Sequence, residues 1–467
     1  MSVKGRLIES KRLLLPLHGN TWRMNRIWLP LGVVSELLAI MLGREEFSYL
    51  SCGFFLLYFS LSFPRLEWYS RLLALSTVAI LAIVMLTGQM TTERLADAAE
   101  SAAFYAAFLG SLGLMNALVR RLEVLRRIHD VLLGGRPEFL YPKYVLTSCG
   151  VSSVLSFGVM HVLCGSLSET LDQRGIEGSA RVNWVRSLLI ATLRGFALVP
   201  LIAPTSVALA ILAREVPELS WSTLLPYTAC AAVLFLLAGA FLERDRFKEI
   251  SSQRVQLDGI PGGTWTLLIF VTTLLAGMAL LVSLADLKVS QAAMLLVPAM
   301  TLVYLLIKER KPRALIKEVA NNMEGQRNEM SIFASSAAMG GILASLVPTE
   351  LIDPELLTPQ WEMLIATVGL LLLPLGAAIG IAPIAVMSFL AGVLAQLQIL
   401  GLSPLTTGVA LSIGFSLAMM LSPFGPSVMI LSRMGRVSKY IVAFNWNGLF
   451  TLASLPLMLA LLAVLVW

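Results

Sequence analysis

Two stretches decide how this chain folds: APTSVALAILAREVPELSWSTLLPY, from Ala203 to Tyr227, and SPFGPSVMILSRMGRVSKYIVAFNW, from Ser422 to Trp446. Each sets proline beside small hydroxyl residues in the middle of a long apolar run. Each then passes through an apolar stretch and a short charged turn into another apolar run. A proline inside a helix removes a backbone hydrogen bond and frees a carbonyl about one turn earlier. In hydrocarbon only protein or a watery cavity can satisfy that carbonyl. Two such interruptions point to a buried polar site, provided the runs lie in a membrane.

The composition says that they do. The chain has 467 residues, of which 57% are hydrophobic and 14% charged, against about 25% charged in soluble domains. Apolar runs recur near the ~20-residue length that crosses a bilayer core. The alternating pattern of a membrane barrel is absent. The net charge of +6 sits largely in short loops, where it sets topology and does not mark a nucleic-acid surface. Cys52, Cys149, Cys164 and Cys230 all lie in apolar runs, with no metal or disulfide spacing. Residues 1–26 form a polar, basic leader with no cleavage signal after the first apolar run.

Spans are read at 27–43, 48–63, 69–87, 101–119, 182–213, 221–242, 264–284, 288–307, 331–349, 403–432 and 440–466, with further apolar stretches at 143–165 and 361–399. Basic residues collect on the cytoplasmic side. The leader, with Lys4, Arg6, Lys11, Arg12, Arg23 and Arg26, therefore starts inside. If 143–165 and 361–399 each enter and return on one face, every loop obeys the rule. Glu93, Asp97 and Glu100 fall outside, as do Asp353, Glu355 and Glu362. The segments 120–136, 244–254, 308–317 and 433–439 fall inside. Were 143–165 an ordinary crossing, the basic loop 308–317 would be pushed outside.

The halves then correspond. In 101–242 a span leads to hairpin 143–165, broken helix 182–213 and a closing helix. In 331–467 a span leads to hairpin 361–399, broken helix 403–432 and a closing helix. The first hairpin opens from inside and the second from outside, an inverted-topology repeat of the kind found in many secondary transporters. Segment 27–100 supplies scaffold helices, and 243–330 connecting helices with a basic arm. The expectation is an all-α polytopic membrane protein with about eleven transmembrane helices and two re-entrant hairpins. The hairpin tips, around Ser148–Ser153 and Gly376–Gly380, should meet the two breaks.

At Ala203-Pro204-Thr205-Ser206, and across GLSPLTTGVALSIGFSLAMMLSPFGPSVMIL from Gly401 to Leu431, the sequence resembles the ion transporter superfamily. It is most similar to the large membrane subunit of tripartite (TRAP) dicarboxylate transporters and to the divalent anion/sodium symporters. The likeness runs over roughly 101–466 and is carried by the two breaks. It implies a secondary transporter with Na⁺ as a coupling ion and no other cofactor, working as a homodimer. The symporters carry Ser-Asn-Thr at each hairpin tip. Neither tip here has Asn, and the second, GAAIGIAPIA, has no side-chain oxygen, so a sodium site would lean on backbone carbonyls.

The reading that results is secondary active transport of a small organic anion, cation-coupled through Na⁺ or H⁺, by an elevator-like movement. Half-helix N-termini favour anions and half-helix C-termini favour cations. Substrate is expected at Ser152, Ser153, Pro204, Thr205, Ser206, Gly380, Pro423, Gly425 and Ser427. A cation is expected at Ser148, Gly150, Ala203, Gly376 and Ser422. Arg194, about 15 Å along the helix from Pro204, either gates or pairs helices. His161, on the returning limb of the first hairpin, can carry a proton or be structural. Asn445 and Asn447 cap or bridge helices. No acidic residue is read in the middle of a span, which argues against a pump driven by buried carboxylates. Phosphate loops, metal-ligand clusters and nucleophile–His pairs are absent, so no enzymatic activity is expected. Partners are the solute and the lipid bilayer, with no nucleic acid. The location is the plasma (inner) membrane, with the N-terminus cytoplasmic and the C-terminus outside. The alternatives are an exporter or lipid-intermediate flippase on the same scaffold, or a non-transporting subunit of a membrane complex.

Overall fold

The computed structural model describes residues 27–119, 121, 139–155, 167, 178–250, 264–309, 312–348 and 358–467. Every regular element among these residues is helical, and nine helices are long and apolar enough to cross a membrane. The chain is an all-α polytopic membrane protein.

Three helices, α1 (Trp28–Leu42), α2 (Glu46–Ser62) and α3 (Trp68–Leu86), precede the first half. α1 stops at Gly43, whose φ of 62° is the left-handed conformation that glycine adopts without strain. α4 (Thr92–Gly113) and the short α5 (Met115–Val119) follow. Thr91 caps α4 by accepting the Arg94 N–H. α4 thus starts well before the expected span at 101, and Glu93, Asp97 and Glu100 stand in its first turns, not in a loop.

α6 (Leu140–Leu155) covers the start of the stretch expected to form the first hairpin. Its expected return, 156–165 with His161, lies outside the described residues, as does most of the basic segment 120–136. The first broken helix consists of α7 (Gly178–Ala197), a single turn α8 (Val199–Ile202) and α9 (Val207–Glu215). Its closing helix, α10 (Trp221–Ile250), runs on past the expected end at 242. Next come α11 (Thr264–Ala285), α12 (Val289–Glu309) and the amphipathic α13 (Pro312–Gly325). α13 buries Leu315 against Ala117 and Leu305. Its Glu318 accepts both terminal nitrogens of Arg121, at 2.7 and 2.8 Å.

The second half is punctuated by proline. α14 (Arg327–Ser345) leads to α15 (Pro359–Ile379), α16 (Pro383–Ile399), α17 (Pro404–Leu421) and α18 (Pro426–Gly435). Four of these helices begin on proline, whose missing N–H and fixed φ suit the first helical position. A π-turn over Ile441–Trp446 then leads into α19 (Gly448–Val466).

Close contacts fix the helix directions. Gly113 meets Gln326 and Gly110 meets Met330, so α4 and α14 run antiparallel. Leu189 lies by Gly435, the Ala197 carbonyl accepts from the Ser416 hydroxyl, and Leu219 lies by Gly408. The two broken helices are therefore also antiparallel. α16 runs parallel to α14, with Gly340 against Ser388 and Gly392 against Ala344. α15 packs along α17 in the same direction, with Gly369 on Leu411 and Gly414 on Leu370. α15 and α16 turn back on each other through Gly380 (φ 100°), so Pro359 and Ile399 end at the same face. Together the two helices form a hairpin over 359–399 whose two ends share one face.

Glycine lets these helices approach. A Cβ on Gly340 would sit 2.8 Å from the Phe389 nitrogen and 2.9 Å from the Ala385 carbonyl oxygen. Backbone cannot yield as a side-chain tip can. Gly340→Val should therefore cost about 1–3 kcal/mol, read as a lower thermal unfolding midpoint in detergent, whereas Gly341→Ala, with nothing within 4 Å, should be near neutral. In a cysteine-free background, Thr358→Cys and Gly401→Cys should react with an impermeant maleimide from the same side of the membrane. Labelling from opposite sides would rule out the hairpin.

Candidate functional site

The two breaks open into one cavity of about 100 Å³. α9 begins at it with Ser206, whose hydroxyl accepts the Leu209 N–H at 3.1 Å. α18 begins at it with Gly425 and Pro426. Each half thus presents the N-terminus of a short helix to the same space, where partial positive charge gathers. Ser152 of α6 and Ala382–Ile384 of the second hairpin complete that wall, and α4 adds Phe108 and Leu112. Phe196, Phe415 and Met419 make most of the surface apolar.

The backbone groups released at the breaks are largely satisfied by side chains. Pro423 cannot bond the Met419 carbonyl, and the Ser427 hydroxyl takes it instead at 2.9 Å. The Ile202 carbonyl accepts from the Trp221 indole at 3.0 Å. Thr205 donates to the Ser153 carbonyl, tying α6 to the first break. Tyr69 of α3 donates to the Gly380 carbonyl at 3.0 Å, and its ring stacks on Phe424 with centroids 5.9 Å apart. The second tip is thereby held against the second break. Lys439 places its ammonium 3.6 Å from the centroid of the same Phe424 ring, a cation–π contact.

The expected substrate set converges in part. Ser152, Thr205, Ser206, Gly425 and Ser427 line the cavity, and Gly380 adjoins it through Tyr69 and Phe424. Ser153 contributes its carbonyl, while its hydroxyl turns back to the Cys149 carbonyl at 2.8 Å. Pro204 and Pro423 shape the breaks without lining the space. The expected cation set does not converge. Of Ser148, Gly150, Ala203, Gly376 and Ser422, only Ser422 lines the cavity. Ser148 is buried between α6 and α7, donating to the Thr192 carbonyl. The carbonyls of Ala203, Gly376 and Ser422 already accept from Ser206, Ile381 and Gly425. At the second break the Ser427 hydroxyl already occupies the carbonyl that Pro423 frees.

Arg194 lies away from the cavity lining, in a buried junction of four helices. Its guanidinium meets Glu243 of α10 at 3.3 Å, the Trp446 carbonyl at 3.2 Å, Asn447 at 3.3 Å and the Tyr141 hydroxyl at 3.4 Å. It also lies 4.2 Å from the Phe450 ring centroid. Asn447 spends its amide on the Val442 carbonyl at 2.8 Å, inside the π-turn. Arg194 and Asn447 thus join helices, and Asn445 is exposed.

Sequence reading missed two carboxylates. Glu36 stands in the middle of α1, 2% exposed, with Ser48 donating to it at 3.3 Å; the expectation of spans free of acidic residues is wrong there. Glu329 lines the cavity from the first turn of α14 and is the only charged side chain among its described lining residues. It fell two residues before the span placed at 331, at the end of a charged segment. A second, polar cavity of about 420 Å³ lies between α4, α9, α12, α14 and α16, where Arg214 pairs with Glu100 at 3.2 Å.

No family model matches the sequence, and no curated protein matches it. Among solved structures the chain is similar to the Alcanivorax borkumensis YdaH transporter. The likeness has 17% identity and a TM-score of 0.48, over 77% of this chain and 84% of that one. At that TM-score it carries no argument about fold or solute.

Removing Glu243 leaves Arg194 buried without a carboxylate, at a cost of about 3–5 kcal/mol, whereas Glu243 without Arg194 keeps Arg246 at 3.2 Å. Glu243→Met should lower the unfolding midpoint sharply and Arg194→Met less so, and the double variant should recover much of the loss caused by Glu243→Met. A double variant no better than Glu243→Met would show that the junction is not held by pairing.

Proposed function

We propose that the protein is a secondary transporter whose solute occupies the cavity between the two breaks. One observation carries this reading: two antiparallel halves each break a helix at the same space, which also holds a buried, unpartnered hydroxyl, Ser152. Buried polar atoms are rarely left unbonded, so a bound molecule is the natural partner.

The lining supports a particular solute class. Aromatic and aliphatic walls suit an apolar body, while helix N-termini and the hydroxyls of Ser152 and Ser206 suit one small anionic group. Among the described residues no Lys or Arg lines the cavity, which disfavours a dicarboxylate. The solute is a small organic monoanion, moved across the inner membrane. The second hairpin and the broken helices move as one body, elevator-like, against α1–α3. The apolar walls also favour a second reading, export of amphipathic molecules taken from the bilayer.

The test is uptake into proteoliposomes of benzenesulfonate and hexanesulfonate, together with short carboxylates, under imposed Na⁺ or proton gradients. Accumulation above equilibrium is expected with one gradient. Ser152→Ala and Ser206→Ala should each cut it by about tenfold, the effect of losing ~1.4 kcal/mol of binding. Uptake indifferent to every gradient would overturn the coupled-transport reading. Accumulation in inside-out vesicles alone would favour the exporter.

A further inference from the structure

Among the described residues the cavity has one charged wall residue, and its environment does not suit a permanent charge. Oε2 of Glu329 is buried and has no hydrogen-bond partner. The cavity it lines also includes Ile332 and Phe333 from its own helix, Ala382 and Pro383 from the second hairpin, and Tyr69 from α3. A backbone hydrogen bond and the nearby Arg327 offset its burial only in part. Arg327 bonds outward, to the Glu324 carbonyl at 3.2 Å and the Arg65 carbonyl at 3.4 Å. Arg65 pairs with Glu324 at 3.8 Å. Glu67, at the start of α3, adds a second negative charge to the neighbourhood. Tyr69 spends its hydroxyl on the Gly380 carbonyl. The Lys439 ammonium is engaged with Phe424.

An unpaired carboxylate among apolar atoms costs several kcal/mol and takes up a proton instead. The protonated acid has an O–H to donate. We infer that Glu329 is the proton carrier of this cavity, a step that rests on the transporter reading and names its coupling ion. The chemistry fixes the order of events. As a carboxylate, Glu329 repels an anionic solute held at Ser152 and the helix N-termini. With a proton taken from water on the entry side, it becomes neutral and its O–H can be donated to the solute. When the solute leaves on the other side, the carboxyl releases that proton to water there. One proton therefore accompanies one monoanion.

Two experiments on the full-length protein test this separately. Dicyclohexylcarbodiimide attacks protonated carboxyls in apolar surroundings, and peptide mass spectrometry locates the adduct. In detergent, Glu329 should be modified, with the rate falling about tenfold per pH unit above its titration midpoint. Benzenesulfonate should protect it. No adduct at Glu329 at any pH overturns the proposal, as does protection by Na⁺ that is independent of pH. This readout needs no transport activity, so it stands or fails apart from the transporter reading. In proteoliposomes, an inward proton gradient should accelerate uptake of benzenesulfonate, which cannot cross as a neutral acid. Glu329→Gln should abolish that acceleration, whatever rate remains, and Glu329→Asp should retain part of it. Acceleration that survives Glu329→Gln in a protein with the native unfolding profile would sink the idea.

Discussion

A backbone carbonyl or N–H placed in hydrocarbon must find a partner, and the architecture of this protein follows from that demand. The chain breaks helices at 203–206 and 422–425, and each break is tolerable only because a neighbour is waiting. Trp221 reaches the Ile202 carbonyl and Ser427 reaches the Met419 carbonyl. Thr205 and Tyr69 then tie α6 and the second hairpin to the breaks. With its own exposed backbone satisfied, the cavity keeps only a few unspent polar atoms, notably the Ser152 hydroxyl and one oxygen of Glu329. The residue types that make the breaks structurally safe are also those that leave a selective site behind.

The helices around this centre are positioned by small residues. Lipid supplies no hydrophobic drive between helices, so close backbone approach and interhelical hydrogen bonds take over. Glycines at 340, 369, 392 and 414 set the second hairpin against α14 and α17. Antiparallel pairing of α4 with α14, and of one broken helix with the other, then brings the two breaks to one depth. The inverted arrangement is what allows two helix N-termini from opposite directions to address a single space.

Much of this was legible in the sequence, for identifiable reasons. Pro204, Pro423 and their hydroxyl neighbours mark the breaks because proline's effect is local and obligatory. The parity of basic loops marks the second hairpin because each crossing reverses the expected charge. What escaped was long-range or at a boundary. Nothing near Tyr69 announces that its hydroxyl meets Gly380, 311 residues away. Glu329 sat just ahead of a span whose helix begins at Arg327, so it read as the tail of a charged segment. Glu36 was overlooked within an apolar run. The second break shows the same limit at close range: sequence can say that Pro423 frees a carbonyl, but not that Ser427, four residues on, captures it.

The junction at Arg194 bears on how the protein is made. Arg194 and Glu243 belong to the first half, but the Trp446 carbonyl, Asn447 and Phe450 come from the last membrane helix. During synthesis the guanidinium enters the bilayer some 250 residues before those contacts exist. Until α19 is inserted it has Glu243 and Tyr141 alone, and the first half is an open-ended assembly whose most polar interior group is only partly solvated. Completion of the C-terminus is thus the event that locks both halves together, and chains truncated before the π-turn should be recognised by membrane quality control as unfinished.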